Sequence, residues 1–168
     1  MHNATTFAQL FNIFAKNSNT KNMKKIILSY AFLFAITVLS FGQVSKIVGK
    51  WKTIDDKDGS AKSVVFIFKA TNGKYYGKID KLFKEPEKLC TECGGSNKNQ
   101  PILGMMVINN MLDEDGQLTG GTILDPKNGK IYKCNIKIDS DDVDKLSVRG
   151  SLDRGGLIGR SQTWIRLK

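Results

Sequence analysis

Beyond residue 46 the chain alternates apolar and polar residues with a period of two. That period marks strands that bury one face. The clearest run is Lys130–Ile138: Tyr132, Cys134, Ile136 and Ile138 fall on one face, and Ile131, Lys133, Asn135 and Lys137 on the other. Comparable runs predict strands over 47–54, 63–69, 74–83, 117–124, 145–152 and 159–167. In 74–83 the pattern puts Tyr75, Gly77, Ile79, Lys81 and Phe83 together. The segment 102–112 fits a buried strand or a short helix; Gly104 and the β-branched pair Val107-Ile108 favour a strand that ends in a helical turn.

Turn chemistry separates these runs. Asn72-Gly73 is a hairpin signal, and Asp125-Pro126-Lys127-Asn128-Gly129 supplies one fixed φ and then a positive φ. Residues 55–60 and 113–116 are polar turns. Asp55, Asp58 and Ser60 lack the frame and distal Glu of a calcium loop. The exception to short links is 84–101, which carries Cys90 and Cys93. Long loops in compact domains tend to be functional or covalently restrained. Eight strands with mostly short links predict an all-β fold, a small antiparallel up-and-down barrel. Closure removes free edges, and eight strands leave room for packed side chains or one small ligand.

The N-terminal region reads differently. Met23-Lys24-Lys25 precedes an apolar run from Ile26 to Leu39, and small residues at Ser40 and Gly42 follow. This is the pattern of a secretory signal over 23–42, cleaved before Gln43. A transmembrane anchor is the competing reading, but the run is shorter than the ~20 residues a span requires. Residues 1–22, ahead of the signal, read as a non-native extension. The expectation is therefore a single β-barrel domain over 43–168, periplasmic or secreted, with no membrane span in the mature chain.

The formal charge is +10, from 26 Lys and Arg against 16 Asp and Glu. Lys16, Lys21, Lys24 and Lys25 fall in the leader, and no acid does. The remaining basic residues are interspersed with acids and apolar residues, so no nucleic-acid partner is expected. The sole histidine, His2, also lies in the leader. A chain without it has no Ser-His-Asp or Cys-His catalysis and no histidine-ligated zinc. Asp55-Asp56 and Asp141-Asp142-Asp144 sit in turns, where acids are solvated rather than held in a desolvated cleft for general acid–base work. No catalytic residue, metal or cofactor is expected.

Two constellations remain. Cys90 and Cys93 are read as a structural disulfide pinning the long loop, as expected in an oxidising compartment. Bonding of either to Cys134, a redox pair and a metal site are the alternatives. On the last strand, Arg160, Gln162, Trp164 and Arg166 share one face, and Ser161, Thr163, Ile165 and Leu167 share the other. If the first row faces outward it is a solvated surface. If it faces inward, guanidinium, amide and indole groups line a lumen suited to a small amphipathic or anionic ligand. Arg149, beside Val148 and Gly150, poses the same question.

These strings resemble a known family. Trp51, Tyr76-Gly77-Lys78-Ile79, Cys90 with Cys93, Asp125-Pro126-x-Asn128-Gly129-Lys130-x-Tyr132, Val148-Arg149-Gly150 and Gly159-Arg160-x-Gln162-Thr163-Trp164 are similar to DUF2147, exported bacterial proteins of unknown function. The resemblance spans essentially the whole predicted mature chain. It implies export and one small β domain, and it carries no catalytic residue. Gly49-Lys50-Trp51 also resembles the Gly-x-Trp of the calycins, including the lipocalins, whose last strand brings a basic residue over that Trp. Arg166, or else Arg160, would be that residue. The resulting expectation is a calycin-like barrel that binds a small amphipathic or anionic ligand or an envelope component through Trp51, Arg149, Arg160, Gln162, Trp164 and Arg166. The alternative is a protein–protein or structural module of the envelope with its lumen filled by Phe66, Phe68 and Tyr75. Nothing in the sequence signals an oligomeric state.

Overall fold

A computed structural model describes residues 44–55, 58–153 and 158–168. The leader and its signal lie outside the described residues. Eight antiparallel strands follow in chain order: β1 (Gly49–Ile54), β2 (Ala61–Lys69), β3 (Tyr75–Leu82), β4 (Met106–Glu114), β5 (Gln117–Asp125), β6 (Lys130–Ile138), β7 (Lys145–Ser151) and β8 (Gly159–Arg166). Each pairs with the next, and β8 returns to β1, so the sheet closes. The ambiguous segment resolves as β4, a strand without the helical turn expected at its end.

Alternation decides the interior. Trp51, Val65, Ile67, Tyr75, Ile79, Leu118, Ile136, Leu146, Val148 and Trp164 are buried in one core. Two departures from strict alternation change the reading. In β3, Val65 pairs with Ile79 but Val64 pairs with Lys81, so Asp80 is an extra residue. The bulge shifts the period: Leu82 lines the interior, whereas Lys81 and Phe83 do not follow Tyr75, Gly77 and Ile79 inward. Where β5 meets β6, the register slips near Gly121. A Cβ there would stand 2.3 Å from the Asn109 carbonyl oxygen, so only glycine permits this approach.

One end of the barrel is plugged. The chain enters through a 3₁₀ turn, Val44–Lys46, and Val44 and Ile47 are buried beneath the strands. Trp51 Nε1 donates to the Ile47 carbonyl at 2.8 Å. The Arg166 guanidinium lies over the Trp51 ring, 4.1 Å from its centroid. Arg166 also donates through Nε to Asp144 at 3.1 Å and through a terminal nitrogen to the Lys46 carbonyl. The indole is thus covered on its open side and bonded at its one polar atom.

Two expectations follow from this plug. Trp51→Ala should destabilise the barrel by about 3–5 kcal/mol, the usual cost of removing a buried aromatic, measured by urea denaturation. Asp144 is held below its usual carboxylate range by its hydrogen bond from Lys168 first, and by the charges of Lys168 and Arg166. A depressed carboxylate contributes stability above its unfolded-state pKa, and that stability is lost as pH falls through the lower folded-state value. Acid unfolding of Asp144→Asn should therefore be less steep below pH ~4, while the variant is less stable than wild type at neutral pH.

Candidate functional site

The other end is open. The ends of β1, β3, β5 and β7, and the starts of β2, β6 and β8, surround a cavity of about 920 Å³ that runs into the barrel. Its inner wall is apolar: Val65, Ile79, Val107, Ile123, Val148 and Trp164. Polar groups within it are already engaged. The hydroxyls of Thr53 and Ser63 lie 2.8 Å apart, and the Ser63 amide donates to Thr53 Oγ1 at 3.1 Å. Tyr132 Oη accepts from Asn128 Nδ2 at 3.1 Å.

Charge is confined to the mouth. Asp55, Lys62, Lys84, Lys88, Lys127 and Arg160 stand in the turns or in the first residues of strands at this end. Lys62 pairs with Asp55 at 2.9 Å, and Lys88 with Glu85 at 2.6 Å. Leu89, Leu152 and Ile158 add exposed apolar groups to the same rim. The arrangement has the two-part chemistry of an amphiphile site, an apolar interior beneath a polar collar.

The six candidate residues divide three ways. Gln162 and Trp164 face the cavity, and Arg160 stands exposed at its mouth. Trp164 Nε1 donates to Gln162 Oε1 at 3.4 Å. The row containing Trp164 therefore faces inward, and Thr163 and Ile165 are exposed outside. Trp51 and Arg166 belong to the opposite, plugged end. Arg149 is on the outer surface, where it donates to Ser161 Oγ at 3.2 Å. Among the described residues no group of three His, Cys, Asp or Glu side chains is placed to hold a metal ion.

Sequence reasoning missed the contribution of the long loop. Lys84, Leu89, Thr91 and Ile102 all line the cavity. The loop is folded on itself: Cys90 N donates to Gln100 O, Asn99 N to Cys90 O, and Ile102 N to Lys88 O, each at 2.9–3.0 Å. Cys90 and Cys93 are joined by a disulfide and are buried. The bridge sits against the β5–β6 turn, with Cys90 Sγ 3.3 Å from the Pro126 carbonyl oxygen. Gly129, at φ +70°, comes so close that a Cβ would lie 1.8 Å from the Glu92 carbonyl oxygen. Turn and loop thus form one wall of the mouth. The signal in the sequence was the Asn128-Gly129 pair, which reads as hairpin chemistry and conceals the second demand for glycine. The third cysteine, Cys134, is free and buried, and burial pushes its thiol up to about 12, which leaves it unreactive.

Replacing both bridging cysteines by serine should cost about 2 kcal/mol by the loop-entropy relation for so short a loop. The loss should be read as faster proteolysis within 84–101 than elsewhere, with the barrel's far-ultraviolet spectrum retained.

A family model described as an uncharacterized protein conserved in bacteria, DUF2147, matches residues 49–166. No curated protein matches the chain. Among solved structures, a Helicobacter pylori protein, HP1028, described as belonging to the lipocalin family, superposes with a TM-score of 0.62. The identity is 22%, over 72% of this chain and 82% of that one. At that identity the likeness establishes the fold. The chain thus belongs to the bacterial family DUF2147, built as a closed eight-stranded barrel of lipocalin-like fold.

Proposed function

We propose that this protein is an exported carrier that receives one amphipathic small molecule in its lumen. The apolar part lies against Ile79, Val107, Ile123, Val148 and Trp164. A polar or anionic head stays at the mouth with Gln162, Arg160 and neighbouring lysines. One observation carries the reading: the lumen of about 920 Å³, apolar within and charged only at its rim. Small-molecule sites fall in the range of ~300–1,000 Å³. Export is supported by the signal-like leader and by the Cys90–Cys93 bridge, since disulfides persist in oxidising compartments.

The alternative, an envelope interaction module with a filled core, needs large side chains inside. Phe66 and Phe68 instead stack on each other at 5.6 Å, and Phe68 stacks on Tyr76 at 6.2 Å, on the face away from the core. Tyr75 is buried, but at the end away from the cavity. These placements favour the ligand reading.

The test is displacement of a hydrophobic fluorophore by a long-chain fatty acid, with native mass spectrometry of the purified protein for co-purified lipid. One molecule per barrel is expected. Ile123→Trp, which fills the lumen, should abolish binding while the barrel still folds. Arg160→Gln should weaken the fatty acid severalfold, as for an exposed ion pair of ~0.2–1 kcal/mol, and leave a neutral amphiphile unchanged. Equal binding by wild type and Ile123→Trp would refute the lumen as the site.

A further inference from the structure

We infer, granting the lumen as the binding site proposed above, that its ligand carries a hydroxyl partway along the apolar body and that Ser63 selects for it. The lumen has two unlike walls. Cavity-lining positions inside β3, β4, β5 and β7 are apolar: Leu82, Ile79, Val107, Ile123 and Val148. Tyr132 on β6 has its hydroxyl turned to Asn128 in the β5–β6 turn. The polar atoms gather on the three consecutive strands β8, β1 and β2, as Gln162, the indole N–H of Trp164, Thr53 and Ser63.

Strand register fixes their depth. Thr53 pairs with Trp164 on one side and with Ser63 on the other, so one indole and two hydroxyls stand at a single level. Arg160 lies on the same inward row of β8, four residues nearer the mouth than Trp164. Four residues of strand span about 13 Å. An amphiphile whose head meets Arg160 therefore passes Thr53 and Ser63 with the middle of its body.

The pairing of Thr53 with Ser63 does not exhaust the two hydroxyls. Both line the cavity, and they keep 8% and 7% of their surface. Their oxygens lie 2.8 Å apart, and either can donate. Thr53 Oγ1 also accepts from the Ser63 amide at 3.1 Å. If Thr53 donates to Ser63, Ser63 Oγ keeps one lone pair and its own proton. If Ser63 donates to Thr53, the Thr53 proton has the Ser63 carbonyl at 3.4 Å, and Ser63 Oγ keeps both lone pairs. In either arrangement Ser63 Oγ retains an acceptor site with no partner among the described residues. Water meets that need in the empty lumen, but an apolar chain lying there would leave it unmet, at a cost in affinity. A ligand hydroxyl donates to that lone pair whichever arrangement holds. A ligand carbonyl, an acceptor only, cannot. The geometry thus selects a hydroxylated amphiphile over a plain acyl chain.

The test is displacement of the lumen fluorophore from the intact protein by three probes: stearic acid, a mid-chain hydroxystearic acid and α-hydroxystearic acid. The mid-chain hydroxy acid should bind about fivefold more tightly than stearic acid, as for one neutral hydrogen bond. Ser63→Ala should abolish that preference, and Thr53→Ser, which keeps both hydroxyls, should retain it. The α-hydroxy acid, with its hydroxyl at the mouth, should gain nothing that depends on Ser63. Each ratio is read within one protein, so a change in a variant's stability cancels. In wild type alone, the proton on the hydroxyl-bearing mid-chain carbon should show nuclear Overhauser contacts to Ser63 and the Trp164 ring. Equal binding of stearic and mid-chain hydroxystearic acid, a preference that survives Ser63→Ala, or contacts confined to Val107 and Ile123 would overturn the inference and leave the lumen site standing. If none of the three acids displaces the fluorophore, the lumen reading falls and this selectivity with it.

Discussion

The stacking of Arg166 on Trp51 is the contact on which the barrel depends. A closed sheet has one seam where its first and last strands meet, and here that seam joins β1 and β8 through only three residue pairs, Trp51–Arg166, Lys52–Ile165 and Thr53–Trp164. Backbone pairing at the seam is short, so side chains reinforce it. Arg166 touches four residues in three segments at once: the Trp51 ring, the Lys46 carbonyl ahead of β1, and Val143 and Asp144 in the β6–β7 turn. A weakly hydrated, planar cation suits this role because it stacks and donates in its plane at the same time. The entering chain, the last strand and one end turn are thereby locked together.

Closing one end in this way leaves the other available. The plugged end spends its polar groups on one another, as Trp51 does with Ile47 and Arg166 with Asp144. At the open end apolar side chains line the cavity, and a disulfide-pinned loop is pressed against the β5–β6 turn. The candidate chemistry therefore resides in strand ends and loops held by a rigid wall, the usual division between scaffold and site. The same wall fixes both faces: the register that puts Val148 and Trp164 inside also puts Arg149 and Ser161 outside.

Much of this was legible from residue order. The strand count, hairpin turns and Gly49-Lys50-Trp51 needed only local patterning, because side-chain direction in a strand has a period of two. The bridge between Cys90 and Cys93 was readable from their spacing and from the export that the leader leads one to expect. Other residues misled for specific reasons. Phe66 and Phe68 look like lumen fillers by size, yet they alternate with Val65 and Ile67 and so fall outside. Lys81 and Phe83 leave the face of Ile79 because one extra residue, Asp80, is accommodated in β3. A bulge of this kind has no dependable mark in the pattern.

Arg160, Gln162, Trp164 and Arg166 show where sequence stops. By itself the sequence determined that these four share one face of one strand and that eight such strands close into a barrel, since alternation and turn chemistry are local properties. Only the tertiary structure decided what each does. The strand runs the full height of the barrel, so a single inward row meets different surroundings along it: Arg160 at the mouth, Gln162 and Trp164 in the cavity, Arg166 in the plug. Position along the barrel axis arises from pairing with β7 and β1, contacts distant in the chain, and no local pattern encodes it.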